Sequence, residues 1–187
     1  MKTTSIKSRV LAGFAILALT FSAFAVEKDP IKVEKSTIEW VGKKVTGQHN
    51  GTILFKEGEV KLKKGALVGG TFVVDMNTIN VTDLEGEYKG KLEGHLKSDD
   101  FFGVDKFPEA TFVITSVEGT VVKGDLTIKG HTEKESFTLV TKNNTISGTV
   151  VIDRTKFGIR YGSNSFFDNL KDKAIHDEFE LTVNIAF

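Results

Sequence analysis

The chain has 187 residues, equal numbers of basic and acidic residues, and no cysteine. This balance of charge argues against a nucleic-acid partner, which calls for a basic face, and the absence of cysteine excludes disulfides and thiolate catalysis. The length is sufficient for one sizeable hydrophobic core, which must hold the fold without covalent cross-links.

The N-terminal segment has the three parts of a secretory signal peptide. Basic residues precede an apolar run from Val10 to Phe21, and Ala23 to Ala25 form a small-residue cleavage site. The run is shorter than the roughly 20 residues that a transmembrane helix needs, so we expect no stable membrane span. We therefore predict a signal peptide at residues 1–25 and a single, mildly acidic domain at residues 26–187.

Alternation of apolar and polar residues predicts a series of strands in the first half of the domain. A turn at Glu57-Gly58, between two such runs, predicts a tight hairpin. The apolar residues that alternate are Ile38, Trp40, Ile53, Phe55, Val60, Leu62, Phe72, Val74 and Met76.

A helical segment then interrupts the strands at about residues 82–103. Leu84, Tyr88, Leu92 and Leu96 recur at fourfold spacing, as on one stripe of a helix, and the stretch Thr82–Glu85 fits a capping box. Three glycines four residues apart also share one face, and each costs about 1 kcal/mol relative to alanine. Either the helix backbone approaches the barrel closely at these glycines, or the segment is a loosely held cover over a ligand opening.

Strands return after a Phe-rich hinge, which contains Phe101, Phe102 and Phe107 and ends at Pro108. Proline there favours an extended conformation in the preceding residue. The last strand, Phe179 to Phe187, alternates almost perfectly. Asp153 to Ile175 is a second irregular stretch, with an aromatic pair at Phe166-Phe167. The repeated helices of a βαβ sheet are missing. The pattern thus predicts an all-β fold, an antiparallel up-and-down eight-stranded barrel with one helical insertion.

Two motifs around the hinge resemble the signature of the YceI-like family. His95 to Phe102 reads His-Leu-Lys-Ser-Asp-Asp-Phe-Phe, and Lys106 to Phe112 reads Lys-Phe-Pro-Glu-Ala-Thr-Phe. Gly124 to Thr132 is similar to the family's Gly-x-Leu-x-Ile-x-Gly-x-Thr hairpin. The resemblance runs from about Thr37 to the C-terminus, and it implies a lipocalin-like barrel that binds polyisoprenoid or similar long-chain lipids.

Catalytic and metal-binding motifs are missing from the sequence. The spacing of a zinc motif does not occur among the four histidines, His49, His95, His131 and His176. Gly162 to Ser165 lacks the final glycine of a nucleophile elbow. The adjacent acids Asp99-Asp100 and Asp177-Glu178 are most simply interpreted as solvated surface. We therefore predict no enzyme, no metal site and no cofactor.

Phenylalanine is the unusual feature of the composition, with fifteen residues against two Tyr and one Trp. An eight-stranded barrel either just fills with side chains or encloses one slender ligand. Pattern and resemblance together predict a ligand-binding interior formed by Trp40, Phe55, Phe72, Val74, Met76, Leu92, His95, Leu96, Phe101, Phe102, Phe107, Phe112, Ile114, Leu126, Ile128, Phe137, Leu139, Phe166 and Phe167. The set includes no Lys or Arg, so it suits a neutral apolar chain, whereas a fatty acid would call for a buried cation.

The function expected is that of an exported, non-catalytic carrier or sequestering protein of the periplasm. Its ligand would be an isoprenoid chain, such as a prenyl quinone or prenol, with Phe101-Phe102 and Phe166-Phe167 near the mouth. The alternative is a solid-cored barrel that acts as a structural or protein-interaction module. The sequence leaves open whether the barrel forms a homodimer.

Overall fold

A computed structural model describes residues 25–187, so the predicted signal peptide lies outside the described residues except for Ala25. Within the described part the chain forms ten strands, one α-helix and three short 3-10 helices. The strands and the helix, in chain order, are β1 (Glu27–Pro30), β2 (Thr37–Lys44), β3 (Gly47–Lys63), β4 (Ala66–Val81), α1 (Gly86–Lys97), β5 (Glu109–Glu118), β6 (Val121–Ile128), β7 (His131–Thr138), β8 (Val140–Lys142), β9 (Thr145–Asp153) and β10 (Ile175–Ala186). The 3-10 helices are Val33–Lys35, Arg154–Phe157 and Lys171–Lys173.

The strands form one curled antiparallel sheet in the order β7-β6-β5-β4-β3-β2-β10-β9-β8, and β1 pairs with the C-terminal half of β3. The two strands at the ends of this order, β7 and β8, are joined through a single residue, Leu139. A Cβ atom added at Gly148 of β9 would lie 2.8 Å from the Thr138 carbonyl oxygen, which shows how closely the ends of the sheet meet. The predicted all-β, antiparallel barrel with one helix is confirmed, with β1 and the short β8 as additional strands.

Alternate residues of each strand face the interior, as the sequence pattern predicts. In β10 and the residue after it, Ile185 and Phe187 are buried, while Phe179, Leu181 and Val183 are partly buried and pack against the core. Phe179, Leu181, Val183 and Ile185 all face the interior.

The predicted hairpin at Glu57-Gly58 is wrong. β3 runs without a break from Gly47 to Lys63, and the chain reverses direction at Lys64-Gly65, both with positive φ. Gly58 is needed for another reason, since a Cβ atom there would lie 2.9 Å from the carbonyl oxygen of Thr71 on β4. A close approach between neighbouring strands therefore produces the same sequence signal as a turn.

The helix lies inside the predicted segment, but its predicted capping box is wrong. The Thr82 hydroxyl donates to the carbonyl of Asn50, and the residue before the helix, Glu85, makes no side-chain cap. Instead, Glu93 accepts a hydrogen bond from the backbone N–H of Val81 and ties the helix to the end of β4. The helix is thus fastened to the end of β4 by a contact that local spacing does not reveal.

The glycines of α1 do not mark a close approach to the barrel. A Cβ atom added at Gly90 or Gly94 would meet open space, and every residue of α1 is at least partly exposed. Of the two explanations for these glycines, the close approach of the helix backbone to the barrel is therefore wrong, and the loosely held cover stays a prediction.

The connections fall into two groups at opposite ends of the barrel. One end, here called the helix end, carries the turn between β2 and β3, the segment of residues 82–108 with α1, the turn at Lys129-Gly130, and the connection between β9 and β10. The last of these, residues 154–174, is here called the β9–β10 connection. The other end carries only tight turns and residues 31–36.

One buried arginine fastens the β9–β10 connection. Arg154 is only 1% exposed and donates hydrogen bonds to the carbonyls of Ile159, Ile175 and His176, at 2.9, 3.1 and 3.0 Å. Its Nη2 atom also lies 3.5 Å from a carboxylate oxygen of Asp177. Burial lowers the pKa of the guanidinium, while Asp177 raises it; an arginine side chain nevertheless stays charged in proteins. The cation thus joins both ends of the connection.

Replacing Arg154 with methionine should lower the free energy of unfolding by about 3 kcal/mol, because three buried carbonyls and the Asp177 carboxylate lose their partner. Urea denaturation checks this. Arg160→Met is the control, since Arg160 is exposed and its loss should cost about 1 kcal/mol or less. Equal losses in the two variants would contradict the role assigned to Arg154.

Asp177 should make stability fall in acid. Burial of its carboxyl raises the pKa, but the hydroxyls of Ser163 and Ser165 and the charge of Arg154 outweigh burial, so the pKa lies below its ordinary value of 3.8. A carboxyl with a lowered folded-state pKa stabilises the fold at neutral pH, and this contribution disappears as the pH falls below 3.8 through the folded-state value.

Urea denaturation of the wild type and of Asp177→Asn should therefore give a difference in stability that is constant near neutral pH and shrinks below pH 3.8. Asp168→Asn, which removes an exposed carboxyl of the same connection, is the control for net charge. A difference that stays constant into acid would show that the carboxylate charge of Asp177 does not stabilise the fold.

Candidate ligand-binding site

The curled sheet encloses an apolar cavity of about 200 Å³. Side chains from β2, β3, β4, β5, β6, β7, β9 and β10 line it, and residues from α1 and the hinge after it line the helix end. Almost all of the lining is aliphatic or aromatic, and the exceptions are Lys43, Thr111, Arg154, His176 and Glu178. The interior is therefore not filled by its own side chains.

Two glycines make room for aromatic rings along the wall. A Cβ atom at Gly124 on β6 would lie 2.6 Å from the ring of Phe112, and one at Gly51 on β3 would lie 2.5 Å from the ring of Trp40. Each ring therefore lies against backbone on the neighbouring strand. This arrangement lets Phe112 pack against Phe137 with the two rings tilted at 54° and their centres 5.3 Å apart, and still leaves space in the interior.

A chain of aromatic contacts leads from the surface of the helix end into the cavity. The ring of Tyr161 lies 4.5 Å from that of His95, which lies 5.6 Å from Phe101. Phe101 contacts Phe102 at 5.1 Å, and Phe102 contacts Phe179 at 6.3 Å. The last three residues line the cavity, whereas Tyr161 is 48% exposed. The β9–β10 connection, α1 and the hinge thus meet at one mouth.

The expectation that the interior offers no cation is wrong. Both Arg154 and Lys43 line the helix end of the cavity, and the Arg154 guanidinium lies 5.5 Å from the centre of the Phe101 ring. Each cation has an acidic partner, because Lys43 pairs with Glu180 at 2.5 Å and Arg154 faces Asp177. The mouth therefore contains cations whose charge is already compensated.

The structure brings most of the predicted ligand-binding residues to the cavity wall. Those that line it are Trp40, Phe55, Phe72, Val74, Met76, Leu96, Phe101, Phe102, Phe112, Leu126, Ile128, Phe137 and Leu139. Their contact with a ligand stays a prediction.

The other predicted residues lie away from the wall. Ile114 is part of the packed core, and Leu92 is half-buried on α1. His95 packs between two rings, and Phe107 covers Gly130, where a Cβ atom would lie 2.7 Å from its ring. Phe166 and Phe167 are exposed on the β9–β10 connection.

Sequence reasoning misses most of the part of the wall that β2, β9 and β10 form. Their alternating residues Ile38, Val150, Ile152, Leu181 and Val183 line the cavity. The alternation in β9 and β10 predicts strands, but it does not tell which strands surround the space. Asp177 is also more than solvated surface, since it accepts a hydrogen bond from the Ser165 hydroxyl at 2.5 Å.

The part of the chain that the structure describes contains neither a metal-binding cluster nor a membrane-spanning helix. Within residues 25–187, no three His, Asp or Glu side chains come together in a way that would hold a metal ion. Across the same residues, the helices are too short or too polar to cross a membrane.

Among proteins of known sequence, the chain is similar to UPF0312 proteins of Staphylococcus aureus. The chain is 45% identical to the UPF0312 protein of strain USA300 over 80 residues, which cover 37% of this chain and 47% of that protein. A second, from strain MSSA476, is 44% identical over the same length. The match thus spans about half the length of these relatives.

Among solved structures, the fold is similar to that of BcnA from Burkholderia cenocepacia. The TM-score is 0.65 at 21% identity, covering 84% of this chain and 99% of BcnA. It is also similar to a polyisoprenoid binding domain from Saccharophagus degradans, with a TM-score of 0.57 at 13% identity, over 86% and 97% of the two chains. At sequence identities of 21% and 13%, these similarities show a shared fold and no more.

A family model for the YceI-like domain matches residues 30–187, nearly the whole of the described chain. The resemblance expected from the motifs around the hinge and at the β6–β7 hairpin is therefore confirmed. The chain belongs to the YceI-like domain family.

Proposed function

We propose that this protein is an exported, non-catalytic carrier or sequestering protein that holds a polyisoprenoid or similar long-chain apolar lipid inside its barrel. The observation on which the proposal depends is the apolar cavity of about 200 Å³ within the curled sheet. The similar fold of a domain described as polyisoprenoid-binding supports the same ligand class.

The size of the cavity is compatible with such a ligand. An apolar cavity of about 150 Å³ already accepts a guest as large as benzene, so the space here has room for more than one isoprene unit. Each buried CH₂ group contributes about 0.8 kcal/mol, so one five-carbon unit contributes about 4 kcal/mol before ordering costs. Two units inside the barrel would already bind usefully.

The electrostatics of the mouth favour a neutral head group. The Arg154 guanidinium donates to three backbone carbonyls and faces Asp177, and Lys43 is paired with Glu180. An ionised lipid would have to give up its hydration beside cations that already have partners. A prenol or prenyl quinone does not incur that cost.

Export to the periplasm is supported by the signal-peptide pattern of residues 1–25. The absence of catalytic motifs from the sequence is consistent with a binding protein. A hollow interior distinguishes this function from that of a solid-cored barrel used as a structural or interaction module.

Native mass spectrometry of the mature protein purified from its own host tests the proposal. A stoichiometric adduct that solvent extraction releases as a prenyl or long-chain species is the expected result. A clean apo mass that persists after incubation with prenols and prenyl quinones would overturn the proposal.

An aspartate in the wall of the cavity should abolish lipid binding. Phe112→Asp and Phe137→Asp each place a carboxylate where the ligand tail lies, and we expect farnesol affinity to fall by about 100-fold or more. Val113→Asp is the matched control, because Val113 neighbours Phe112 on β5 but is 41% exposed on the outer face. Equilibrium dialysis measures the affinity, and circular dichroism checks the fold. A folded Phe112 or Phe137 variant that still binds farnesol would contradict the assignment of the wall.

The wild type should discriminate between farnesol and farnesoic acid, which share one isoprenoid chain. At neutral pH we expect farnesol to bind about tenfold or more tightly, because the carboxylate finds only compensated cations. Asp177→Asn removes the carboxylate that faces Arg154, so the affinities for farnesol and farnesoic acid should become more similar. Asp168→Asn in the same connection should leave the ratio of the two affinities unchanged. Equal affinities in the wild type would show that the mouth does not select neutral head groups.

A further inference from the structure

We propose that the β9–β10 connection docks the protein on the surface of an anionic lipid bilayer, with the aromatic patch Tyr161, Phe166 and Phe167 inserted at the interface. The inference rests on the proposed function for its purpose, since a carrier of apolar lipid must meet the membrane that supplies or receives it. The docking surface itself is defined by exposed aromatic rings and basic side chains, and it can be tested without a ligand in the cavity.

The patch concentrates exposed aromatic rings in one place. Phe166, Phe167 and Tyr161 are 45%, 51% and 48% exposed. All three belong to a single seven-residue stretch inside the β9–β10 connection. Val45, which is 61% exposed, lies beside them, because its N–H bonds to Ala174 and it shares a depression with Asn164. Large apolar rings are seldom grouped on a free surface without a partner.

The segment that presents the two phenylalanines is held in place. Ser163 is fully buried, and its carbonyl accepts the N–H groups of both Phe166 and Phe167. The hydroxyl of Ser163 accepts the N–H of Ser165, and the hydroxyl of Ser165 donates to Asp177. A turn fixed in this way keeps the two rings at the surface, so their exposure is a property of the fold.

Basic side chains lie in and next to the connection that carries the patch. Within residues 25–187, none of Lys44, Arg160, Lys171 and Lys173 forms an ion pair, and all four are exposed. Lys44 pairs with Ile175 in the sheet, which brings it next to the end of the connection, and the Arg160 guanidinium lies 4.4 Å from the centre of the Phe166 ring. Within residues 154–174 the acids are Asp168 and Asp172, so basic residues predominate there, and Asp177 beside Ser165 faces the buried Arg154.

Aromatic rings flanked by cations are typical of surfaces that bind the interface of an anionic bilayer. The patch has this arrangement although the mature chain as a whole is mildly acidic. It also lies at the start of the aromatic chain, in which Tyr161 contacts His95 and His95 contacts Phe101 in the cavity wall. Docking through the patch would therefore set the mouth against the membrane.

Co-sedimentation of the mature protein with vesicles of phosphatidylethanolamine and phosphatidylglycerol tests the proposal. We expect the wild type to bind, and Phe166→Ser with Phe167→Ser to lower the partition coefficient about tenfold or more, since two rings lose their burial. Vesicles of phosphatidylcholine alone should bind the wild type more weakly, because the basic residues lose their anionic partners.

The matched control replaces two apolar residues that are equally exposed but lie on the barrel wall. Leu54 and Val113 are 52% and 41% exposed, on β3 and β5. Leu54→Ser with Val113→Ser should bind vesicles as the wild type does. Circular dichroism and thermal melting check that both double variants are folded.

Several outcomes would overturn the proposal. One is that the wild type does not sediment with vesicles. Another is that the Phe166 and Phe167 double variant sediments with vesicles as strongly as the wild type does. A third is a wild-type dimer that the double variant converts to a monomer, without any vesicle binding, since the patch would then be a contact between copies of the chain.

A parallel measurement separates docking from the proposed function. Equilibrium dialysis with geraniol reports binding to the cavity without a membrane, and the Phe166 and Phe167 double variant should retain it. Geraniol binding without vesicle binding would overturn the docking alone. Vesicle binding without uptake of geraniol or longer prenols would overturn the carrier function and leave the docking surface in place.

Discussion

The helix end of the barrel depends on the buried guanidinium of Arg154. Its three hydrogen bonds to backbone carbonyls join the start of the β9–β10 connection to the start of β10. A connection of this length, buried in part, would otherwise leave these carbonyls without partners. The same cation faces Asp177, which in turn receives the Ser165 hydroxyl and so helps to hold the turn that exposes Phe166 and Phe167. One buried charge thus supports the cavity mouth and the proposed docking surface together.

The cavity exists because the curled sheet places large rings against backbone instead of against one another. Gly51 and Gly124 let Trp40 and Phe112 lie close to the neighbouring strand, where any larger residue would push the ring into the interior. Phe179 near the start of β10 and Ile185 near its end both line the cavity, so the free volume runs along the barrel. Leu96 of α1 and Phe101 and Phe102 of the hinge line its helix end.

Charge at the mouth is arranged for compensation. Arg154 and Lys43 each lie beside a carboxylate at the helix end of the apolar cavity. A buried cation in a lipid-binding cavity would ordinarily suggest an anionic head group. Here each cation already has an acidic partner, so a neutral ligand stays the prediction, although for a different reason than the sequence suggested.

The amino-acid sequence by itself determined the fold class, the segment that contains the helix and most of the aromatic wall. Each follows from short-range periodicity, such as Phe112 alternating with its neighbours or Phe179 starting a strand with period two. Only the tertiary structure decided that Glu57-Gly58 is not a turn, that Thr82 does not cap the helix, and that Arg154 and Asp177 meet. These features depend on contacts between strands and connections far apart in sequence. Close approach of two backbones and pairing of buried charges leave no local pattern, because the partner of each residue is set by how the sheet curls.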